Sequence, residues 1–395
     1  TGTRKYDSKT NYRSTSMLVV PMKDHEGSVI GVLQLINALA DDGTTPAPFT
    51  VWHQETVESL ASQAAVALNN ASLITELEKL FDALITLIGT AIDEKSPYTG
   101  GHVRRVAELA MDIARAINAR AEAVIGGDRL NAPELEELRI AAWLHDLGKV
   151  TTPESLLNKA NKLEKIVDRA ELITLRYEIA RLNATFRTAA DALKNGEHAV
   201  LGERKDALDA ELQELEEEEE FVLSWNAPDK SPDDDAVRRL HEIARKRETI
   251  TEDELESLCL QKGTLTEEER RVIENHATVT RRMLGQLPFP RSLASVPAYA
   301  GSHHEKLDGS GYPEGLDADE MPLQTRILVV ADIFEALTAR RPYKKPIPLA
   351  KAVAILEAMA DEGQLDRSVI QTAQKYGVFL NYVTRKFERG EVDRV

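Results

Sequence analysis

Histidine and aspartate residues recur along this chain at positions that suit a metal centre. Residues 303–316 read HHEKLDGSGYPEGL, and far upstream His145 and Asp146 stand side by side in LHDLGK. Five of the nine histidines and two aspartates fall where a cluster of nitrogen and oxygen ligands would need them. These residues are His102, His145, Asp146, His276, His303, His304 and Asp332. Imidazole and carboxylate groups bind Fe, Mn, Zn, Ni or Co, so the residue types predict a transition-metal site.

The candidate carboxylates stand in apolar segments that predict buried helices. His145 and Asp146 lie in AAWLHDLGK, an apolar helix that ends at a glycine, and Asp332 lies in RILVVADIFEALTARRPYK. A buried carboxylate is costly unless it is paired or bound to a metal. A carboxylate such as Asp146 can bridge two ions, and two ions about 3.5–4 Å apart can bind a phosphodiester and activate water. The pattern therefore predicts a metal-dependent phosphohydrolase site assembled from distant segments.

These residues resemble the pattern His…His-Asp…Asp of the HD-domain phosphohydrolases, with His102 as the first histidine and Asp332 as the last aspartate. The HD-GYP branch of that family adds a histidine on a following helix, matched by His276, and the block HHExxDGxGYPxGL, matched in full at 303–316. The resemblance implies that all seven residues are ligands of a two-metal centre. It implies that the centre holds two divalent metal ions, with iron as the first choice and manganese as the alternative. The implied substrate is cyclic di-GMP or a related cyclic dinucleotide.

The resemblance covers about residues 85–160 and 262–360 and implies further roles. It gives catalytic roles to His145, Asp146 and Lys149. The residues that it implies for substrate binding are Lys149, Asp308, Tyr312, Arg341 and Lys344, with Lys345 as an alternative to Lys344. Such cations would offset the charge of an anionic ligand bound by an acidic chain. The glycines of the signature loop allow it to turn tightly, so we expect this loop to shape the pocket wall.

Two departures from the family pattern affect the prediction. Some members hold a third metal through a glutamate one helical turn before the first histidine, and the matching position here is Tyr98. We therefore expect two metals. The second departure is an insertion of roughly 100 residues, at about 161–262, where the family usually has a short helical link. It could cover the pocket, mediate dimer contacts or bind a partner.

Three functions fit the sequence. The first is an enzyme that hydrolyses cyclic di-GMP to pGpG, to GMP or to both, in bacterial second-messenger signalling. The second is a catalytically weak cyclic-dinucleotide sensor that signals to a protein partner, which the complete ligand set disfavours. The third is an HD phosphohydrolase acting on other nucleotides, which the GYP block disfavours.

The elements around the site are predicted to be mainly helical. The segments MLVVP and VIGVLQLIN predict a β-hairpin with Gly27 in its turn, and they resemble the second half of a GAF sensory domain. We divide the chain into a partial GAF-like α/β segment (1–53), a long helix (54–94) and an HD-domain helical bundle (95–395). Apolar or small residues repeat along 54–94 at steps of four and three, with one slip near Glu76. This pattern predicts a coiled-coil signalling helix and favours a parallel homodimer over a helix that packs only on its own domain.

The insertion does not read as a compact domain but as an antiparallel helical hairpin within the catalytic unit. The run Glu216–Glu220 is interpreted as a solvated helix face, because five like charges on one helix repel and do not converge on a metal. Thr266 and Glu269 form a capping box at the start of the helix that carries His276.

Composition narrows the partners and the compartment. The formal net charge of −17, of which −8 lies in residues 201–220, argues against DNA or a membrane surface as a general partner. A single cysteine suits a reducing compartment, and with no bilayer-spanning run of about 20 apolar residues we expect a cytoplasmic protein. The chain starts within the GAF-like pattern, so we expect a fragment of a longer protein.

Overall fold

The computed structural model describes residues 12–95, 100–120, 129–195, 201–339 and 346–389. These residues are mostly helical, with only small two-stranded sheets, which confirms the predicted mainly-α class. They divide into two compact units, one up to Leu84 and one from Ile85 onward. No helix within these ranges is long and apolar enough to span a bilayer.

The first unit contains the predicted hairpin and most of the long helix. Strand β1 (Met17–Lys23) pairs antiparallel with β2 (Val29–Ile36), and β3 (Ala38–Leu39) pairs with β4 (Pro46–Ala47). Gly27 has a φ of 85°, the left-handed conformation that glycine adopts at no steric cost. The hairpin packs against helix α1 (Val51–Asp93) through a small hydrophobic core. This core consists of Val20, Val57 and Ala61, with Leu18, Met22 and Leu33 packed against it.

The second unit is a helical bundle with the insertion in its middle. Its helices before the insertion are α2 (His102–Asn118), α3 (Ala132–Leu144) and the short α4 (Glu154–Leu157). The insertion contributes α5 (Arg169–Asn195), α6 (Leu201–Ser224), α7 (Asp234–Arg247) and α8 (Glu252–Leu258). The bundle then continues with α9 (Glu267–Leu284), α10 (Val296–Gly301), α11 (Leu323–Thr338), α12 (Leu349–Asp361), α13 (Arg367–Lys375) and α14 (Val378–Glu388).

Helix α11 is the apolar centre of this bundle. Its residues Ile327, Leu328, Val330 and Phe334 are fully buried in a core shared with α2, α3 and the C-terminal helices. A helix that is apolar on every side can only be stable when neighbours surround it. This surrounding places Asp332, on the same helix, deep inside the protein.

Local sequence signals set where the helices begin. The predicted capping box at the start of α9 is confirmed, with Thr266 accepting from the backbone N–H of Glu269 and Glu269 accepting from that of Thr266. Asn131 and Thr251 start α3 and α8 in the same way. Each box satisfies backbone N–H groups that would otherwise lack partners.

The insertion is more compact than the sequence indicated. Helices α5 and α6 form the predicted hairpin, and α7 and α8 pack on it around a separate hydrophobic core. The buried members of this core are Leu163, Ile173, Tyr177, Leu215, Val222, Leu240, Ile243, Ile250, Leu255 and Leu258. The expectation that the segment lacks a compact core was therefore wrong. Its apolar residues are spread over four helices, and only the tertiary fold brings them together.

The glutamate run on α6 is also only partly a solvated face. Glu218 is buried and binds Arg247 at 3.1 Å and Lys246 at 3.3 Å, while Glu219 binds Arg181 at 2.7 Å. The basic residues come from α5 and α7, which flank α6. The like charges of the run are therefore offset by neighbouring helices, which the sequence of α6 alone did not indicate.

Candidate metal centre

The second unit brings the seven candidate ligands together from five segments of the chain. His102 is the first residue of α2, His276 lies on α9 and Asp332 on α11. His303 and His304 follow α10 directly. The sequence predicted that His145 and Asp146 lie within a helix ending at a glycine, but α3 ends at Leu144. The two residues occupy the turn before a 3-10 helix, Leu147–Thr151.

Three of the histidines are oriented by their own backbone. The Nδ1 atom of His145 lies 2.8 Å from the carbonyl of Ala142, and that of His303 lies 2.7 Å from the carbonyl of Ala300. The Nδ1 atom of His276 meets the carbonyl of Ile273 at 2.5 Å. A carbonyl only accepts, so each Nδ1 carries the proton and each Nε2 keeps its lone pair. The local fold therefore presents three Nε2 atoms as ligands.

The carboxylate of Asp146 lies between two groups of histidines. Its Oδ2 atom is 3.5 Å from the Nε2 atom of His102 and 3.4 Å from that of His145. Its Oδ1 atom is 3.4 Å from the Nε2 atom of His276 and 3.8 Å from that of His303. Each oxygen thus faces its own pair of imidazoles, the arrangement expected of a carboxylate that bridges two ions.

Asp332 and His304 complete the two groups. The Oδ1 atom of Asp332 lies 3.3 Å from Nε2 of His102 and 3.9 Å from Nε2 of His145, so it belongs to the first group. The ring centroid of His304 lies 4.0 Å from that of His303, with the two rings tilted by 44°, which puts His304 in the second group. The ligand atoms of His276, His303 and His304 all lie within 4.8 Å of one another, close enough to hold one ion.

The protonation states of Asp146 and of the second histidine group suit metal binding. Burial lowers the pKa of His276 and His303, and it lowers the pKa of His304 to about 3. Burial alone would raise the pKa of Asp146, but Lys149 and His145 hold it well below its usual value. Neutral imidazole and ionised carboxylate are the forms that bind a metal.

Two atoms of the cluster have no hydrogen-bond partner among the described residues. Nε2 of His145 and Oδ1 of Asp146 are both buried and unpaired. A buried polar atom without a partner is costly, and such a site calls for an ion or another bound group. The donor set and these unpaired atoms together fit a pair of transition-metal ions.

Three models of known protein families match this chain. A family model described as HD domain matches residues 99–222, a second HD-domain model matches residues 248–369, and a GAF-domain model matches residues 4–68. The two HD matches contain all seven candidate ligands. The chain therefore carries HD-domain sequence on both sides of the insertion and a GAF-like segment before it, and its candidate ligands follow the HD-GYP pattern.

Several curated proteins match part of this chain. The chain is 28% identical over 296 residues to "3'3'-cGAMP-specific phosphodiesterase 3" of Vibrio cholerae, which covers 75% of this chain and 37% of the relative. It is 36% identical over 281 residues to "3'3'-cGAMP-specific phosphodiesterase 2" of the same organism, covering 71% of this chain and 32% of the relative. It is 41% identical over 103 residues to "Cyclic di-GMP phosphodiesterase" of Thermotoga maritima, covering 26% of this chain and 28% of the relative. The chain thus spans about a third of each relative's length.

A buried glutamate that the sequence analysis did not predict binds one of the candidate ligands. Glu335 is fully buried on α11, accepts from Nδ1 of His102 at 2.6 Å and accepts from Nε of Arg105 at 2.8 Å. Burial alone would raise the pKa of Glu335, but His102 and Arg105 hold it well below its usual value. Burial alone would lower the pKa of His102, but Glu335 and Asp146 raise it well above its usual value. The position of Glu335 could have indicated this contact from the sequence, because it lies one helical turn after Asp332 on an apolar helix.

The turn that carries His145 and Asp146 is clamped onto α9. The hydroxyl of Thr280 donates to the carbonyl of His145 at 3.0 Å and accepts from the backbone N–H of Gly148 at 2.8 Å. A Cβ atom at Gly148 would stand only 1.9 Å from the carbonyl oxygen of His276. The glycine in LHDLGK therefore permits the close approach that places the two histidines together.

The GYP loop packs beside the second histidine group. Buried Glu305 accepts from the backbone N–H of Glu314 at 2.7 Å and of Leu316 at 3.0 Å, which holds the loop closed. The ring of Tyr312 lies 4.8 Å from that of His304, and burial raises the pKa of Tyr312, so its hydroxyl stays protonated. Asp308 lies on the exposed side of the loop, where its carboxylate accepts from the backbone N–H of Ser310.

Of the cationic residues predicted to bind substrate, only Lys149 lies among the described residues. The Nζ atom of Lys149 lies 2.6 Å from Oδ2 of Asp146, at the edge of the centre. Arg341, Lys344 and the alternative Lys345 lie outside the described residues, as does Tyr98.

Proposed function

We propose that this chain is a metal-dependent phosphodiesterase that hydrolyses a cyclic dinucleotide. The observation that carries the proposal is the position of Asp146, whose two carboxylate oxygens each face a separate pair of buried histidine Nε2 atoms. Two ions held side by side suit in-line displacement at phosphorus, because the attacking and leaving oxygens can be stabilised together.

The residues divide between two proposed ion sites that share Asp146. His102, His145 and Asp332 would hold one ion, and His276, His303 and His304 would hold the other. When bound, such ions would supply Lewis acidity toward the phosphodiester and lower the pKa of a water molecule. We propose iron as the physiological metal and manganese as an alternative, since nitrogen and carboxylate donors accept both.

The chain's own groups would orient the substrate. Lys149 stands at the edge of the centre, where its ammonium can donate to a phosphate oxygen. Tyr312 lies against His304 with a protonated hydroxyl that can donate to the ligand. We keep Arg341 and Lys344 as proposed phosphate clamps. For Asp308, whose carboxylate is exposed and bound within its own turn, we propose only an indirect contribution through the loop.

Cyclic di-GMP is the first proposed substrate, with pGpG, GMP or both as the product. The names of the relatives support the class of substrate, since they include enzymes for 3'3'-cGAMP and for cyclic di-GMP. We propose that the reaction takes place in the cytoplasm.

Turnover by the purified protein tests this function. The protein would be prepared without oxygen, loaded with Fe²⁺ or Mn²⁺, and given cyclic di-GMP, 3'3'-cGAMP, ppGpp and dGTP in parallel. We expect a linear dinucleotide or mononucleotide from at least one cyclic dinucleotide and no product from the other two nucleotides. His145→Ala and Asp146→Ala should lose turnover, whereas His241→Ala, an exposed histidine of the insertion, should retain it.

Two outcomes would contradict the proposal. One is saturable binding of a cyclic dinucleotide by the metal-loaded protein with no product, which would indicate a sensor. The other is equal turnover by the wild type and Asp146→Ala, which would indicate a contaminating activity.

We also propose that α1 pairs in parallel with α1 of a second chain and so regulates the enzyme. Leu73, Leu77, Leu80, Leu84 and Leu87 are all exposed along this helix and follow steps of four and three. That spacing is the seam of a two-stranded coiled coil. In this proposal the GAF-like segment senses a signal and α1 transmits it.

Leu77→Glu combined with Leu84→Glu tests the α1 pair. Charges in the seam should weaken dimer formation, because they would be buried without partners. Sedimentation equilibrium of the double variant should show a dissociation constant at least about tenfold higher than that of the wild type. The matched control is Glu76→Gln with Glu78→Gln, two changes at other exposed positions of α1. An unchanged dissociation constant for the leucine variant would contradict the proposed pairing.

A further inference from the structure

Helix α5 of the insertion carries a long exposed apolar face, which we call the α5 stripe. Its members are Leu172, Leu175, Ile179, Leu182, Phe186, Ala189 and Leu193. All seven are exposed, and the exposed fraction of the large side chains runs from 37% at Leu172 to 84% at Leu193. Large apolar side chains scattered singly on a surface are normal, but a contiguous patch of several hundred Å² marks an interaction site.

The spacing of the α5 stripe is that of a coiled-coil seam. Its positions follow strict steps of three and four residues from Leu172 to Leu193. This alternation has a period of 3.5 residues, which keeps the face of one helix turned toward a partner helix along its length. At a rise of about 1.5 Å per residue, the α5 stripe is roughly 30 Å long.

The opposite face of α5 is already occupied within the insertion. Ile173, Tyr177 and Ala184 are buried in the insertion, and Ile173 and Tyr177 belong to its hydrophobic core. Rotating the helix to cover the α5 stripe would expose these residues instead. The stripe therefore stays on the outside for as long as the insertion keeps its core.

Ion pairs on the sides of α5 also hold the helix in the rotation that leaves the α5 stripe facing outward. Arg176 binds Glu254 of α8 at 2.7 and 2.9 Å, and Arg187 binds Glu211 of α6 at 2.8 Å. These pairs tie α5 to its neighbours at two levels along the helix and would all break if the helix turned. Among the described residues, the α5 stripe therefore stays uncovered in the folded insertion.

We propose that the α5 stripe is a self-association surface, which packs against the α5 stripe of a second copy of this chain. Six large apolar side chains that are 37–84% exposed along one helix face form a patch on the order of several hundred Å², at the upper end of what a monomer leaves uncovered. Pairing two such faces would bury an area on the order of 1,000 Å², near the lower limit of a specific protein interface. A symmetric pair is also the commonest arrangement of identical chains.

Charge favours a second copy over a bilayer surface. No position of the stripe is charged, so two copies can meet without burying an unpaired ion. The arginines beside the stripe are each bound to a glutamate of a neighbouring helix and are therefore not available to a negative lipid surface. They are Arg176, Arg181 and Arg187, bound to Glu254, Glu219 and Glu211. Amphipathic helices that lie on membranes have faces rich in Lys and Arg instead, because the lipid surface is negative.

Single-cysteine cross-linking tests the contact directly. Cys259 is the chain's only cysteine and would be replaced by Ser. Leu182→Cys, in the middle of the stripe, would meet its own copy whether the helices run parallel or antiparallel. We expect mild oxidation to give a covalent dimer of the whole chain. Asp191→Cys, exposed on the side of α5 away from the stripe, is the matched control and should give at least about tenfold less dimer.

Association of the full chain gives a second, independent measurement. In the background Leu77→Glu with Leu84→Glu, the proposed α1 pairing is removed and α5 is left intact. We expect the chain still to associate, with a further loss of association of at least about tenfold on adding Leu182→Glu and Phe186→Glu. The matched control adds Ile166→Glu and Val167→Glu, two exposed apolar residues before α5 that lie outside the stripe.

The proposal would be overturned by equal cross-linking at positions 182 and 191. It would also be overturned if the α1 variant were monomeric at about 100 μM with the stripe intact. Circular dichroism and thermal melting of each variant should match the parent chain, because the changed side chains are exposed. A loss of association that accompanies unfolding would therefore count against the proposal.

Discussion

At the residue scale, the four histidines that face Asp146 differ in what holds them. His145, His276 and His303 each hold Nδ1 against a carbonyl three residues earlier, within their own turn. His102 instead depends on Glu335, which stands 233 residues away on α11. The orientation of His102 is therefore decided by a carboxylate from another helix, and this would make the first of the two proposed ion sites the more sensitive one.

Changing Glu335 should weaken metal binding selectively. In Glu335→Ala we expect the affinity of one of the two ions to fall about 10–100-fold, the usual effect of removing the partner of a ligating histidine. Glu335→Gln should lie in between, because its amide oxygen still accepts from His102. Metal content and competition with a chelator measure the effect. Glu362→Ala, an exposed acid of the same unit, is the control, and equal affinities in the two alanine variants would contradict the assignment.

Gly148→Ala tests the close contact between the turn of Asp146 and α9. The added Cβ would lie 1.9 Å from the carbonyl oxygen of His276, so the turn and the helix must separate. We expect a loss of unfolding free energy of about 1–3 kcal/mol, together with weaker metal binding. Denaturant unfolding and metal titration would show both effects. Gly100→Ala, where a Cβ atom meets nothing within 4 Å, should leave both quantities unchanged.

At the element scale, the base of the insertion is fastened to the helix that carries His276. Lys159 and Glu269 form a buried ion pair at 2.7 Å between the start of the insertion and the first turn of α9. Buried Lys162 donates to the carbonyls of Lys230 and Leu260, both at 2.7 Å, and closes the insertion on itself. The base of the insertion is therefore bound to the helix that supplies His276 to the candidate metal centre.

Lys159→Met should destabilise the second unit by about 3 kcal/mol, because Glu269 would remain buried without its counter-charge. Adding Glu269→Gln should recover part of that loss, since the amide removes the unpaired charge and can still accept from Thr266. A double-mutant cycle by denaturant unfolding measures the coupling. Lys351→Met, which removes an exposed lysine of α12 in the same unit, should cost less than about 1 kcal/mol. Additive effects of the two main changes would contradict a coupled pair.

At the scale of the whole molecule, bound ions should stabilise one unit and leave the other unchanged. An ion present at about 100 times its dissociation constant adds about 2.7 kcal/mol to the stability of the state that binds it. For a unit of this size that corresponds to a rise in melting temperature of roughly 5 °C. We expect calorimetry to show this rise on adding Mn²⁺ to chelator-treated protein, in the transition of the second unit.

Asp146→Ala controls for non-specific effects of the metal. Without the shared carboxylate, the Mn²⁺-dependent rise should be lost while the transition of the first unit stays unchanged. The same rise in wild type and variant would mean that the ion binds elsewhere.

The sequence predicted those features that depend on neighbouring residues. The hairpin with Gly27 and the capping box of Thr266 and Glu269 were confirmed, because both involve groups only a few residues apart. The mainly helical class was also confirmed. The core of the insertion and the role of Glu335 were missed, because their contacts join residues far apart in the chain.

The sequence by itself determined which ligand types are present and that apolar helices would bury them, since residue chemistry and hydrophobic period are local properties. Only the tertiary structure decided that each oxygen of Asp146 faces its own pair of histidines, and that one face of α5 stays exposed while the other is buried. Both outcomes depend on how distant helices pack. The order of residues along one helix specifies its faces but not which neighbour will cover each of them.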